Sequence, residues 1–177
     1  MGFQQVSAGV HLPDDINVII EIAAQSSPVK YEVDKQSDSL VVDRFMTASM
    51  FYPANYGFIN HTLAGDGDPI DVVLLTPHPV QAAAVVRARP IAVLNMVDEG
   101  GVDVKLLAVA HPQLTNLYDH VQEATDLPEL LLQQIGHFFS HYKELDKGKW
   151  AKVDNWGDSQ QAKALIMQAY QAYQAQP

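Results

Sequence analysis

Residues 66–76 read Asp66-Gly67-Asp68-Pro69-Ile70-Asp71-Val72-Val73-Leu74-Leu75-Thr76, an acidic turn that runs directly into an apolar strand. Three carboxylates lie within the first six residues, and Gly67 and Pro69 shape a tight turn between them. Carboxylate oxygens are the ligands that hard cations prefer. A solvated loop without an ion is the other interpretation, and the hexapeptide alone leaves both open. An EF-hand calcium loop fits poorly, since its required glycine and glutamate would fall on Asp71 and Pro77.

Short apolar segments bounded by Pro, Gly, Asp or Asn lie on both sides of this stretch. Their β-branched and apolar content predicts strands at residues 16–22, 29–34, 40–45, 71–76, 85–97 and 102–110. The first two thirds of the chain therefore favour β structure.

The last third of the chain has helical spacing instead. Asp126-Leu127-Pro128-Glu129 predicts a helix start, with a cap, a proline in the first turn and a glutamate three residues after the cap. A second helix is predicted from Asp158-Ser159 onward. A run of strands followed by two helices predicts a mainly β (α+β) fold, a barrel or sandwich with helices packed outside.

Length and charge narrow the class of protein. The 177 residues suit one domain, residues 1–177. The chain has no cysteine, which excludes a disulfide framework and thiolate metal sites and fits a reducing cytoplasm. A net charge of −10 argues against general nucleic-acid affinity. No signal peptide or membrane-spanning run is visible, so we expect no membrane partner.

Two predicted strands place an acid and a base on one face. Lys30 and Glu32 alternate with apolar residues in the strand at 29–34, and Asp103 and Lys105 do the same in the strand at 102–110. The outer polar face of an amphipathic strand is the alternative for both pairs.

Five further side chains combine charge or hydroxyl groups with apolar surroundings. Arg44 lies within an apolar stretch and needs a partner or a cavity. Tyr52, Tyr56 and Tyr142 can pack in a core or donate hydrogen bonds to phosphate. Lys143 is either a phosphate ligand or only a favourable charge at a helix C-terminus.

Two other patterns carry little weight. His137 and His141 have the spacing of a helical metal pair, but no third ligand or glutamate completes a zinc motif, and a surface or subunit contact is preferred. Lys147-Gly148-Lys149 lacks the spacing of a nucleotide-binding phosphate loop.

Taken together, the motifs resemble the soluble, barrel-type inorganic pyrophosphatases in their short bacterial form, from about Leu12 to Trp156. The hexapeptide at residues 66–71 is similar to the signature of that family. The other segments that match in order and spacing are Ile20-Glu21-Ile22, Lys30-Tyr31-Glu32, Val42-Asp43-Arg44-Phe45, Tyr52-Pro53-Ala54-Asn55-Tyr56-Gly57, Asp98-Glu99, Asp103-Val104-Lys105 and His141-Tyr142-Lys143. The resemblance implies a closed, oligonucleotide-binding-like barrel of five strands flanked by two helices from the C-terminal region.

The resemblance also implies roles for individual residues. It makes Asp68 the general base that takes the proton from the attacking water. The implied metal ligands are Asp66, Asp71 and Asp103 nearest the nucleophile, with Asp71 bridging, and Glu32 and Asp98, together with Asp103, for metals that arrive with the substrate. The implied phosphate ligands are Lys30, Arg44, Tyr56, Lys105, Tyr142 and Lys143. The implied supporting residues are Glu21, Tyr52 and Glu99.

The expected function is hydrolysis of inorganic pyrophosphate, with several Mg2+ ions per subunit and Mn2+ or Zn2+ as substitutes. The resemblance implies a cytoplasmic homohexamer, a dimer of trimers, with the helix around His137 and His141 near a subunit contact. Three alternatives remain open: a non-catalytic cation-binding protein, an oligonucleotide-binding barrel, and a phosphohydrolase acting on nucleotides. The net charge opposes the second, and so does the lack of an aromatic stacking series.

Overall fold

The structure is a computed structural model that describes residues 2–176. The strands within this range are β1 (Ile16–Ile22), β2 (Val29–Asp34), β3 (Ser39–Phe45), β4 (Asn55–Ile59), β5 (Asp71–Leu75), β6 (Val85–Asp98), β7 (Gly101–Val102), β8 (Lys105–Ala110) and β9 (Ala151–Gly157). The helices are α1 (Glu129–His141), α2 (Ser159–Gln174) and two 3-10 turns, Phe3–Gln5 and Ala124–Asp126. No helix in the described range combines the length and apolarity that a membrane span requires.

Five strands form a closed ring. They pair in the order β1-β4-β5-β8-β6, and β6 returns to pair with β1. The 14-residue β6 is long enough to pair with β7 and β9 as well. The β2–β3 hairpin is a separate two-stranded sheet beside the ring. The mainly β fold with a closed five-stranded barrel and two helices confirms the predicted fold class.

Two apolar cores follow from the alternation of side chains along the barrel strands. Val73 and Leu107 belong to the core that includes α1, whereas Val72 and Leu106 belong to the core that includes α2. Since the two sets come from alternate positions of the same strands, each helix covers one face of the strand layer. The site residues Asp71 and Lys105 precede these core positions at the strand ends.

Close packing at β4 explains two residues of the motif at 52–57. A Cβ on Gly57 would lie 1.9 Å from the carbonyl oxygen of Ile19, so only glycine lets β4 approach β1 this closely. Asn55 is buried, and its side-chain oxygen accepts hydrogen bonds from the N–H groups of Ala24 (3.1 Å) and Val80 (2.8 Å). Gly57 thus permits the packing of β4 on β1, and Asn55 holds the chain segments at Ala24 and Val80 in place.

Some sequence predictions were wrong in detail. The strand predicted at 102–110 is interrupted at Asp103–Val104, and the exposed Val102 belongs to the short β7. Asp126 does not cap α1: its carboxylate accepts the N–H groups of residues 122 and 123, and α1 begins at Glu129. The strands β4 and β9 were missed. The second helix begins as predicted, with Asp158 accepting the N–H of Gln161 at 2.8 Å.

Candidate active site

A cavity of about 330 Å³ opens where the β2–β3 hairpin, the 60–70 loop, the β6–β7 turn and the end of α1 meet. Fourteen of the fifteen predicted site residues line it. They are Glu21, Lys30, Glu32, Arg44, Tyr52, Tyr56, Asp66, Asp68, Asp71, Asp98, Asp103, Lys105, Tyr142 and Lys143. Glu99 lies beside the cavity, and its carboxylate is 3.6 Å from the ammonium of Lys143. Residues distant in sequence are thus brought to one place.

Strand register builds the centre of the cavity. Asp71 and Lys105 begin the parallel strands β5 and β8 and are partners in the pairing. The buried ammonium of Lys105 lies 2.5 Å from Asp71 and 2.5 Å from Asp103. Burial alone would lower the pKa of Lys105, but the two carboxylates outweigh it and raise that pKa above its usual range. Burial raises the pKa of Asp103.

A second ion pair closes the cavity at the end of α1. The ammonium of Lys143 lies 2.5 Å from the carboxylate of Asp98, which ends β6. Partial burial acts to raise the pKa of Asp98, yet the hydrogen bonds from Lys143 and the Gly100 N–H lower it overall. Lys143 is buried, so the expectation of a merely favourable helix-end charge does not describe it.

The β2–β3 hairpin supplies a third group of charges. Its pairing sets Lys30 opposite Arg44 and then Tyr31 opposite Val42, so Asp43 is an extra residue in β3. The carboxylate of Asp43 accepts from Arg44 at 2.9 Å and lies 3.4 Å from Lys30. Lys30 also pairs with Glu32. The bulge therefore keeps the side chains of Lys30 and Arg44 next to each other at the cavity wall.

The acidic loop carries Asp66 and Asp68 on the open side. The Asp66 carboxylate accepts the N–H of Asp68 at 3.0 Å, which orders the turn. The Asp68 side chain is 76% exposed, and the ammonium of Lys35 lies 3.3 Å from it. Asp68 is therefore accessible to water and to a bound substrate.

Aromatic rings form the apolar floor. The Tyr52 and Tyr56 rings are tilted by 44° with their centroids 5.0 Å apart, and the Phe138 ring of α1 has its centroid 4.5 Å from that of Tyr52 and 5.3 Å from that of Tyr142. Burial raises the pKa of all three tyrosines, so their hydroxyl groups stay protonated as hydrogen-bond donors near neutral pH. The ammonium of Lys105 lies 5.8 Å from the centroid of the Tyr56 ring.

Glu21 is a buried acid beside the carboxylates that are predicted to hold metal ions. Its carboxylate accepts the N–H of Val33 at 2.7 Å and so ties β1 to the hairpin. Burial, helped by the neighbouring charges of Asp71 and Glu32, raises the pKa of Glu21 to about 8. Its protonated form is therefore favoured at neutral pH.

The donor set fits a hard divalent cation. Every acid that faces the cavity offers oxygen atoms, and within residues 2–176 no histidine lines it. In the same range, no three such groups already converge on one point as a preformed ion site. Lysine ammonium groups lie between the carboxylates instead and balance their charge.

Two cavity cations were not among the site residues predicted from the sequence. Lys35 and Lys149 both line the cavity. Lys35 follows the end of β2, and Lys149 belongs to the segment between α1 and β9. Neither lies in an apolar context that would have marked it, and only the three-dimensional arrangement reveals their position.

Comparison with known proteins agrees with this geometry. The sequence model of the family described as inorganic pyrophosphatase matches residues 18–174. The inorganic pyrophosphatase of Salmonella typhimurium is 57% identical over 171 residues, covering 97% of each chain.

Solved structures extend the similarity to the fold. An inorganic pyrophosphatase from Coxiella burnetii has a TM-score of 0.92 and 48% identity, over 95% of this chain and 99% of the other. The inorganic pyrophosphatase of Thermus thermophilus has a TM-score of 0.93 and 36% identity, over 99% of this chain and 100% of the other. With a family match over most of its length and such relatives, this chain belongs to the inorganic pyrophosphatase family.

Proposed function

We propose that this chain hydrolyses inorganic pyrophosphate to two phosphate ions, as a Mg2+-dependent enzyme acting as one domain. The observation that carries this function is the cavity in which seven acidic side chains lie among lysine and arginine side chains. Pyrophosphate is a compact, highly charged anion, and two like unit charges 4 Å apart cost about 4 kcal/mol at an effective dielectric near 20. A site for it therefore needs cations held against several acids, which is what the charges of this cavity provide.

The metal-holding residues would be Asp66, Asp71 and Asp103, with Glu32 and Asp98 for ions that enter with the substrate. Divalent cations, when bound, neutralise phosphate charge and make a water molecule a better nucleophile near neutral pH. Asp71 and Asp103 would be among the residues that hold such a cation, which would add to the compensation of their charge that the Lys105 ammonium provides. The all-oxygen donor set supports Mg2+ first, with Mn2+ or Zn2+ as substitutes.

The chain's own groups divide the reaction between them. Asp68 accepts a proton as the oxygen of the attacking water bonds to phosphorus, and its exposure supports this role. Lys30, Arg44, Lys105 and Lys143 stabilise the charge that develops on the departing phosphate when the bridging P–O bond breaks. Tyr56 and Tyr142 donate hydrogen bonds to phosphate oxygens, and Glu21, Tyr52 and Glu99 support these groups.

The test is phosphate release from pyrophosphate by the purified protein, with Mg2+ and with chelator. We expect fast release that requires the metal, and slow or no release from ATP and from a phosphate monoester. Folded protein that binds Mg2+ and releases no phosphate from pyrophosphate would leave the non-catalytic cation-binding alternative. Preferred release from ATP would favour the nucleotide alternative.

We also propose that the protein is a cytoplasmic homohexamer, a dimer of trimers. Its support is an apolar groove of about 520 Å³ on the outer side of α1, lined by Met50, Phe51, Leu130 and His137 among others. Phe51 is 57% and Leu130 64% exposed in the protomer, which favours a subunit contact there. Sedimentation of the purified protein measures the assembly size.

A further inference from the structure

The first residues of the described chain touch both walls of the active-site mouth. The 3-10 turn Phe3–Gln5 lies between the tip of the β2–β3 hairpin and the loop that begins at Asn60. We call residues 2–6 the N-terminal clip. The hairpin carries Lys30, Glu32, Lys35 and Arg44, and the loop carries Asp66 and Asp68 and leads into Asp71 at the start of β5.

Gln4 is bonded to both walls. Its side-chain amide donates to the carbonyl oxygen of Lys35 at 2.7 Å, and its N–H donates to the carboxylate of Asp38 at 3.3 Å. Its own carbonyl oxygen accepts from the His61 ring nitrogen at 3.0 Å. One residue thus joins the hairpin tip to the first turn of the acidic loop.

Asn60 anchors the clip on the loop side. Its side-chain amide donates to the carbonyl oxygens of Phe3 at 2.9 Å and Val6 at 2.8 Å. Both amide hydrogens are thereby used on the clip. The two bonds hold the backbone of the 3-10 turn on each side of Gln4.

Packing does not replace these bonds, because a second cavity of about 410 Å³ separates the two walls beneath the clip. Phe3, Asp38, Asn60 and Gly67 are among its lining residues. It shares Val33, Lys35, Phe58 and Pro69 with the active-site cavity. A gap of this size leaves little packing between the hairpin tip and the loop, and the exposed Lys35–Asp68 ion pair at 3.3 Å that crosses it holds the two walls only weakly.

Hydrogen bonds within the 60–70 loop couple the position of Asn60 to the positions of Asp66 and Asp68. The Thr62 hydroxyl accepts the N–H of Ile70 at 3.0 Å, and the Ala64 N–H donates to the carbonyl oxygen of Asp68 at 2.7 Å. The hairpin tip is equally ordered, since Asp34 accepts the N–H of Ser37 at 2.9 Å. A displacement at Asn60 therefore moves the acidic turn as a unit.

We propose that the N-terminal clip is a positioning element of the active site, with Gln4 and Asn60 as its positioning residues. It sets the distance between the phosphate-binding cations of the hairpin and the acids of the loop. This inference rests on the proposed function for its kinetic consequence. Its geometric consequence, a fixed separation of the two walls, does not.

The chain offers a matched control in Asn17. Its side-chain amide also bonds to the N-terminal segment, donating to the carbonyl oxygen of Ser7 at 3.1 Å and to the Ser7 hydroxyl at 3.2 Å. Asn17 lies on β1, away from the hairpin and the loop. Asn17→Ala therefore removes a comparable anchor without touching the site walls.

The kinetic experiment compares Gln4→Ala, Asn60→Ala and Asn17→Ala in the full chain with Mg2+ and pyrophosphate. We expect kcat/KM to fall about tenfold for the first two, chiefly through a higher KM and a higher half-saturating Mg2+ concentration, because small misplacements of binding groups are costly. Asn17→Ala should stay within about twofold of wild type, because a change that does not displace the binding groups leaves their geometry intact, and Asn17 bonds to Ser7 rather than to either wall. The double variant Gln4→Ala/Asn60→Ala should be no worse than the worse single variant, because either change opens the same clip.

The geometric experiment does not depend on activity. The chain lacks cysteine, so nitroxide labels at Gln36→Cys and Gly65→Cys report the distance between hairpin tip and loop by dipolar EPR. Both positions are exposed, and a Cβ on Gly65 meets no atom within 4 Å. We expect Gln4→Ala, a change at an exposed residue, and Asn60→Asp, which keeps the side-chain shape, to broaden the distance distribution.

The outcomes separate the two proposals. Label distances unchanged from the wild-type background in Gln4→Ala and Asn60→Asp, together with kcat/KM at the level of Asn17→Ala in Gln4→Ala and Asn60→Ala, would overturn the clip. A wild-type protein without pyrophosphatase activity would overturn the proposed function, while the label distances would still decide whether the clip holds the walls.

Discussion

Lys105 is the most deeply buried charged side chain in the active site, with 3% of its surface exposed. A buried ammonium is tolerated only with partners, and removing either partner would leave an uncompensated charge. Asp71 and Asp103 supply the compensation through the register of β5 and β8 and the β7–β8 connection. The same carboxylates are the proposed metal ligands, so one set of acids serves both the resting protein and the reaction.

Glu21 makes stability depend on pH in the metal-free protein. The carboxyl has a pKa of about 8 when folded and an ordinary value of 4.5. Between these values the folded protein binds one more proton than the unfolded chain, so the contribution of Glu21 to stability falls as pH rises. Glu21→Gln removes this titration. We expect the free energy of unfolding of the variant, relative to wild type, to rise by up to about 1.4 kcal/mol for each pH unit between the ordinary and the folded pKa of Glu21.

Urea unfolding in chelator at pH 5, 6, 7 and 8 measures this difference. A free-energy gap between Glu21→Gln and wild type that is constant across the four pH values would contradict a raised pKa for Glu21. Histidine titrations cancel in the comparison, because both proteins carry the same seven histidines.

At the scale of elements, helix α1 links the barrel core to the cavity floor. Phe138 is 2% exposed and packs against Tyr52 and Tyr142. We expect Phe138→Ala to lower the free energy of unfolding by about 3–5 kcal/mol, since the cavity left behind cannot collapse fully. Urea unfolding with Leu114→Ala as control measures this, because Leu114 is 59% exposed. Equal losses in the two variants would show that α1 is not packed on this floor.

The elements that sequence predicted well are those whose local pattern and tertiary role agree. The strands at 16–22 and 29–34 have the predicted bounds, because β-branched residues and turn signals mark both ends. β4 was missed because Asn55 and Gly57 weaken strand propensity, yet Gly57 is required by the packing against β1 and Asn55 by its hydrogen bonds to Ala24 and Val80. The break at Asp103 was missed because alternation continues across it in the sequence.

The cavity itself was predictable only as a set of residues. The resemblance brought together fourteen residues that do line one cavity, but spacing could not show that lysines lie between the acids. Lys35 was missed because its significance comes from a hairpin tip facing a distant loop, a contact across 33 positions. Such contacts follow from the packing of the hairpin beside the barrel, which no local pattern records.

At the scale of the whole molecule, the proposed hexamer predicts pH-dependent assembly. The His137 and His141 rings stack at 4.2 Å on α1, beside the apolar groove. Histidine side chains ordinarily gain a proton between pH 8 and pH 5, and two stacked cations would repel each other and disfavour a covered face. We expect sedimentation to show a hexamer at pH 8 and smaller species at pH 5.

The double variant His137→Gln/His141→Gln is the control, and it should remain hexameric at pH 5. A wild-type hexamer that is unchanged from pH 8 to pH 5 would remove the histidine pair from the assembly contact.

The proposed function requires that the cavity of carboxylates and lysines hydrolyses pyrophosphate with Asp68 as its general base. The most direct measurement is the steady-state rate of phosphate release by Asp68→Asn, beside Asp14→Asn, at saturating Mg2+ and pyrophosphate. Asp14 is a matched control because it is also an exposed acid paired with a lysine, Lys163 at 2.7 Å. We expect Asp68→Asn to fold and bind Mg2+ but to lose about 100-fold or more in kcat, as general-base loss requires, while Asp14→Asn keeps wild-type turnover. Near wild-type turnover by Asp68→Asn would contradict the role of Asp68 as the general base of pyrophosphate hydrolysis in this cavity.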